Sequence, residues 1–142
     1  MGTTTDNMID KIFMACVKFL ESLGRCTHLT YKQISVIFNL WVQGIVLLLA
    51  SVAPLVVSIV RGYNIGVIGL LAVYALACAY GIIKILHRYM LPMNAAFDLC
   101  VADLFRIAAQ WNRSYNYVNI VLFVVLYLLL IGLDSLLIYI LL

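Results

Sequence analysis

Apolar residues run almost without a break through three stretches of the chain, Gln33 to Val60, Ile65 to Leu86 and Val118 to Leu142. Each is long enough to cross a hydrocarbon core of about 30 Å, which takes about 20 helical residues. The stretches are continuous rather than alternating, and a backbone in lipid must satisfy its own hydrogen bonds. The pattern therefore predicts helices over 31–60, 64–88 and 116–142. The fold class expected is all-α: one membrane domain, 1–142, with three transmembrane helices. Thr30 and Gln33 have the spacing of a capping box before the first span, and Asn64 is placed to cap the second. Arg61-Gly62-Tyr63-Asn64 leaves room for only a tight turn, so the first two spans are expected to pair as an antiparallel hairpin.

A different period marks two further segments, 6–24 and 93–112. Ile9, Ile12, Phe13, Cys16, Val17, Leu20 and Leu23 fall at helical spacing with charged residues elsewhere around the helix, and Gly24 is expected to end it. Phe97, Cys100, Val101, Leu104, Phe105, Ala108 and Trp111 repeat the design, with Asn94 as the expected cap. Both read as amphipathic helices lying on the membrane surface or against the ends of the spans. The two segments match at an offset of 84 residues: Phe13-x-x-Cys16-Val17-x-x-Leu20 recurs as Phe97-x-x-Cys100-Val101-x-x-Leu104, and the same register carries Tyr31 onto Tyr115 and Leu49 onto Leu133. This suggests a duplicated unit of surface helix plus span, parallel in the membrane, with the second span returning the chain.

Composition removes the soluble alternative. The chain is 66% hydrophobic and only 11% charged, with a mean hydropathy of +1.12, too little polar surface to coat a water-soluble globule. Of nine Lys and Arg, four precede the first span and four lie between the cores of the second and third; Arg61 alone sits in the hairpin turn. That bias predicts a cytoplasmic N-terminus and 87–117 segment, with the hairpin and C-terminus outside; compactness and short outer loops suggest a membrane of the prokaryotic inner type. The basic excess attracts anionic lipid, and Lys84, His87 and Arg88 are the expected headgroup contacts. No basic patch interleaved with aromatics supports nucleic-acid binding. A cleavable signal peptide fits poorly with a first span so far from the start, and Asp6 spoils the myristoylation pattern of Met1-Gly2.

Candidate chemistry is confined to polar residues within the spans, which are costly in hydrocarbon and so point toward protein, water or a partner. Ser35, Asn39 and Gln43 form a stripe on the first span, and Asn119, Tyr127 and Asp134 lie close to one face of the third. Gln43, Tyr74 and Tyr127 come out near mid-membrane, with Asp134 closer to the level of Ala50 and Ser51. Pro54 kinks the first span and leaves the Ala50 carbonyl without its helical donor. Asp134 is expected to be protonated and to donate to that carbonyl or to Ser51; the alternative is an Asp that reaches the outer surface or pairs with Arg61. Small residues spaced four apart on the second span suit close packing. Asp103 and Arg106 form an ordinary i, i+3 pair. The four cysteines show no paired spacing, and Cys26-x-His28 matches no zinc pattern, so neither disulfides nor a metal or other cofactor is expected.

No catalytic residue is expected. A surface helix followed by three spans resembles the layout of the small bacterial diacylglycerol kinases, which would imply glutamates and an asparagine near the cytoplasmic ends of the spans. Here the one glutamate, Glu21, lies in the first surface segment, and the resemblance ends at topology. The economy of the chain also resembles that of holins and small membrane-acting effectors, without their motifs. The functional expectation is a self-associating protein that forms a pore or permeabilises membranes. The alternative is an accessory or assembly subunit of a larger membrane complex, and a lipid-modifying enzyme ranks below both. Expected partners are the lipid bilayer and either further copies of the chain or another membrane protein.

Overall fold

The structure, a computed structural model, describes residues 4–142; Met1 and Gly2, on which the lipidation argument turned, lie outside them. Five helices follow in order: α1 (Thr4–Thr27), α2 (Tyr31–Val60), α3 (Ile65–Arg88), α4 (Met93–Trp111) and α5 (Tyr115–Leu141). No strand occurs among the described residues. Helices α2, α3 and α5 are long and apolar enough to cross a membrane. Their outward faces carry large apolar side chains, among them Leu49, Leu70, Val73, Leu76 and Leu129, each more than 60% exposed, as suits a lipid neighbour.

Local chemistry sets the ends of these helices. Thr30 Oγ1 accepts from the Gln33 amide at 3.3 Å while Gln33 Oε1 accepts from the Thr30 amide at 3.1 Å, so the capping box is present. Asn64 caps α3 through Val67 N at 3.0 Å. The connecting turn needs a glycine, because Gly62 sits at φ +70°, in the left-handed region where a Cβ is unfavourable.

Two termini differ from expectation. Helix α4 starts at Met93 with Pro92 rather than Asn94 as its cap, because Pro92 has a free carbonyl that receives the Ala96 amide at 2.9 Å; Asn94 therefore lies inside the first turn. Helix α1 runs past Gly24 to Thr27 and turns at His28, whose φ is 57°. Gly24 serves a close approach instead: its carbonyl accepts from Leu29 N at 2.9 Å, and a Cβ there would meet the Leu29 oxygen at 2.8 Å. Position 108 makes the equivalent bond, Arg113 N to Ala108 O at 3.0 Å, with a methyl group in place. Gly24→Ala is accordingly expected to cost no more than about 1 kcal/mol, the strain being partly offset by higher helix propensity. Gly24→Val should cost about 2–3 kcal/mol, since its branches cannot follow the same path. Denaturation of the two variants in detergent checks the difference.

Several local features recur 84 residues apart. His28 and Asn112 share positive φ, at 57° and 52°, and Thr30 and Ser114 cap α2 and α5. A π-helical stretch opens at Ile37 in α2 and another at Val121 in α5. Buried Leu20, Ile34 and Val36 correspond to buried Leu104, Val118 and Ile120. Phe13 packs edge-on against Tyr115 and Phe97 against Tyr31, both at 6.0 Å between ring centres. Each of α1 and α4 thus touches the beginnings of both α2 and α5.

Packing within the long helices is uneven. Helix α2 is central, with α3 on one side and α5 on the other, and these two scarcely meet. The hairpin end is closed by Arg61 Nη2 donating to the Leu142 carbonyl at 2.9 Å and Tyr63 OH donating to the Leu141 carbonyl at 3.0 Å. Since α3 and α5 diverge from a common central helix, a gap opens between them.

Candidate functional site

That gap is a groove of about 470 Å³ walled by α2, α3 and α5, with α4 across one end. Its walls are mainly apolar: Leu47 and Gly44 from α2, Ala77 and Ile82 from α3, Leu126 and Leu130 from α5. Polar groups are concentrated at its two ends, and those ends differ in how fully the groups are paired.

At the α4 end, Arg88 makes a two-pronged ion pair with Asp103, Nη2 to Oδ1 at 2.9 Å and Nε to Oδ2 at 3.0 Å. Tyr89 OH also donates to Asp103 Oδ2 at 2.7 Å. The Arg88 guanidinium holds the Asp103 carboxyl below its ordinary range, while burial and the bond to Asp103 push the Tyr89 hydroxyl up. This corrects one expectation: Asp103 pairs with Arg88 rather than Arg106, while the Arg88 side chain stays half exposed. The reason is reach, because α3 ends where α4 crosses it and a planar guanidinium meets a carboxylate in two parallel bonds. Of the other expected headgroup residues, His87 is exposed and Lys84 lies 5.7 Å from the centre of the Tyr80 ring. Beside Asp103, burial raises the Cys100 thiol to about 11.

At the other end, Asp134 is 2% exposed, and Tyr74 OH donates to its Oδ1 at 2.5 Å. The expected arrangement is not formed. Asp134 accepts from Tyr74, Ser51 Oγ donates to its own helix at Leu48 O at 2.8 Å, and Arg61 reaches the C-terminal carbonyl. Asp134 therefore neither reaches the outer surface nor pairs with Arg61. The physical reason is partnership: Asp134 and Tyr74 both line the gap between α3 and α5, where the Tyr74 hydroxyl reaches the carboxyl, while the Ser51 hydroxyl is spent on a carbonyl of its own helix.

Other polar residues of the spans find partners within the chain. Asn39 Nδ2 donates to Ser35 Oγ at 3.3 Å and Asn119 Nδ2 to Tyr115 OH at 3.4 Å. Gln43 Nε2 donates to the Phe123 carbonyl at 3.1 Å, tying the end of one π-helical stretch to the middle of the other. Pro54 is fully buried at its place inside α2. Tyr127 lines the groove, and its hydroxyl makes no hydrogen bond among the described residues. The stripes expected to need a partner are in large part satisfied inside one protomer.

Structure thus brings Asn39, Gln43, Ser51, Tyr74, Tyr127 and Asp134 to one groove; Ser35 and Asn119 line a separate cavity of about 90 Å³ between α1, α4 and the starts of α2 and α5. Sequence reasoning missed the Tyr74–Asp134 bridge, the Arg88–Asp103–Tyr89 cluster, and Cys78 and Cys100 as lining residues. Tyr74 carried a legible signal, a lone polar atom deep in a span; the Arg88–Asp103 pair carried none, since both residues are common at interfaces. Among the described residues no group of three His, Cys, Asp or Glu gathers to hold a metal. No protein-family model matches the chain, and no match is found among curated proteins or solved structures.

Proposed function

We propose that this is a non-enzymatic integral membrane protein that binds a small lipophilic molecule drawn sideways from the bilayer into the groove between α3 and α5. The observation carrying this reading is the groove itself, an apolar space with polar groups fixed at its ends, between two helices that scarcely touch. Its 470 Å³ falls within the ordinary range of small-molecule sites. In this reading the chain is a duplicated helix-plus-span unit, supported by the recurrence of caps, left-handed residues and π-helical stretches at one offset. The N-terminus and the 87–117 segment face the cytoplasm, on the strength of the Lys and Arg bias, and the short outer loops suit a prokaryotic inner membrane.

A permeabilising oligomer draws less support, because Ser35, Asn39, Gln43 and Asn119, the side chains that would line a wet pore, hydrogen-bond within one chain.

Photolabelling tests the proposal. In proteoliposomes containing a neutral alkyl amphiphile with a diazirine in its chain, adducts mapped by mass spectrometry should concentrate on groove residues Ile82, Leu126 and Leu130, several-fold above outward-facing Leu70 and Val73. Leu130→Trp, which fills the groove, should abolish the excess. Even labelling of groove and outer faces overturns the reading, and release of a trapped dye from the same vesicles would restore the permeabilising one.

A further inference from the structure

The two ends of the groove are unequal in charge, and the inequality selects an occupant. We propose that the molecule bound there is a lipophilic cation, its charge held by Asp134 and its apolar body lying against the groove walls; this rests on the groove reading above.

Three observations carry it. Asp134 is 2% exposed, yet among the described residues its carboxyl receives a single hydrogen bond, from Tyr74. A carboxylate accepts about four, so most of its capacity is unused. Second, the groove lining contains three charged side chains, Arg88, Asp103 and Asp134, and the first two neutralise one another at 2.9 and 3.0 Å. Asp134 has no cationic partner among the described residues, and a carboxylate buried there is costly unless a counter-ion joins it. Third, the groove around the Tyr74–Asp134 pair is mainly apolar, with Cys78 beside Tyr74 and Ser51 as the further polar lining residues there. A hydrated metal ion finds one carboxylate and a few hydroxyls there, too few oxygens to replace its six or more waters. A cation wrapped in hydrocarbon needs little replacement, partitions into the bilayer first, and meets aromatic side chains that suit cations through their ring quadrupole.

Competing occupants fit less well. An anionic amphiphile needs Arg88, which Asp103 holds in a two-pronged pair, and it would be repelled by Asp134. A neutral molecule leaves the carboxylate uncompensated. A proton alone neutralises Asp134 but leaves the rest of the groove without a role.

The experiment uses the full chain in a neutral detergent and equilibrium dialysis of two ions of the same shape and opposite charge, tetraphenylphosphonium and tetraphenylborate. The phosphonium should bind saturably at one per chain and at least tenfold more tightly than the borate. Asp134→Asn should weaken phosphonium binding at least tenfold, and Glu21→Gln, remote from the groove, should leave it unchanged. Equal affinity for the two ions overturns the proposal, as does a folded Asp134→Asn that retains phosphonium binding. Where Asp134→Asn does not fold, the opposite-ion comparison on the native chain decides alone. Should the neutral photoprobe label the groove while the phosphonium fails to bind, the cation falls and the groove reading stands; if neither enters, both fall.

Discussion

Ala96→Leu is expected to destabilise the fold by about 2–3 kcal/mol, seen as a fall of about 5–10 °C in the unfolding midpoint in detergent. Ala96 is completely buried and forms a core cluster with Val36 and Leu40, into which Trp41, Leu86, Tyr89, Phe97 and Phe123 also pack. The cluster joins α4 to α2 and the end of α3, so three more carbons at position 96 must push α4 off the bundle or force neighbours out of their rotamers. Overpacking is the sharper probe in this chain. Between apolar helices, lipid solvates a leucine about as well as protein does, so truncation forfeits packing and cavity energy but little transfer energy. Ala109→Leu on the exposed face of the same helix should leave the midpoint nearly unchanged. Equal midpoints for the two variants would show that α4 does not pack as described.

Acid is the second lever. The Asp103 carboxyl is 14% exposed and is held below its ordinary value of 3.8, first by the hydrogen bonds from Arg88. A depressed folded value means that the unfolded chain binds the proton more readily, so the contribution of Asp103 is complete above about pH 4 and is lost as pH falls through the folded value. Arg88 remains charged throughout. Asp103→Asn should therefore lower the midpoint by about 3 °C at pH 7, a modest figure because Arg88 is half exposed and solvent screens the pair. Native chain and variant should converge as the pH falls well below 3.8. A difference that persists unchanged into acid would mean that shape, not charge, makes the contribution of Asp103.

These two sites show what kinds of information the chain carries at each level. The three long helices, the Thr30–Gln33 box, the Asn64 cap and the turn at Gly62 were legible in the sequence because each depends on residues within a few positions of one another. Span length is set by bilayer thickness, and a cap is set by one side chain reaching a nearby amide.

Partnership across helices was not legible in this way. Asp134 was recognisable as an expensive side chain in a span, but Tyr74 became its partner only because α3 and α5 both seat against α2 and face one gap. Arg88 and Asp103 likewise met because α4 crosses the end of α3. Hydrophobic pattern determines that helices form and which solvent surrounds them, since burial in lipid is a sum over residues taken one at a time. Depth, rotation and the unfilled groove follow from how whole helices seat against one another, a matter of shape decided only when all five are together.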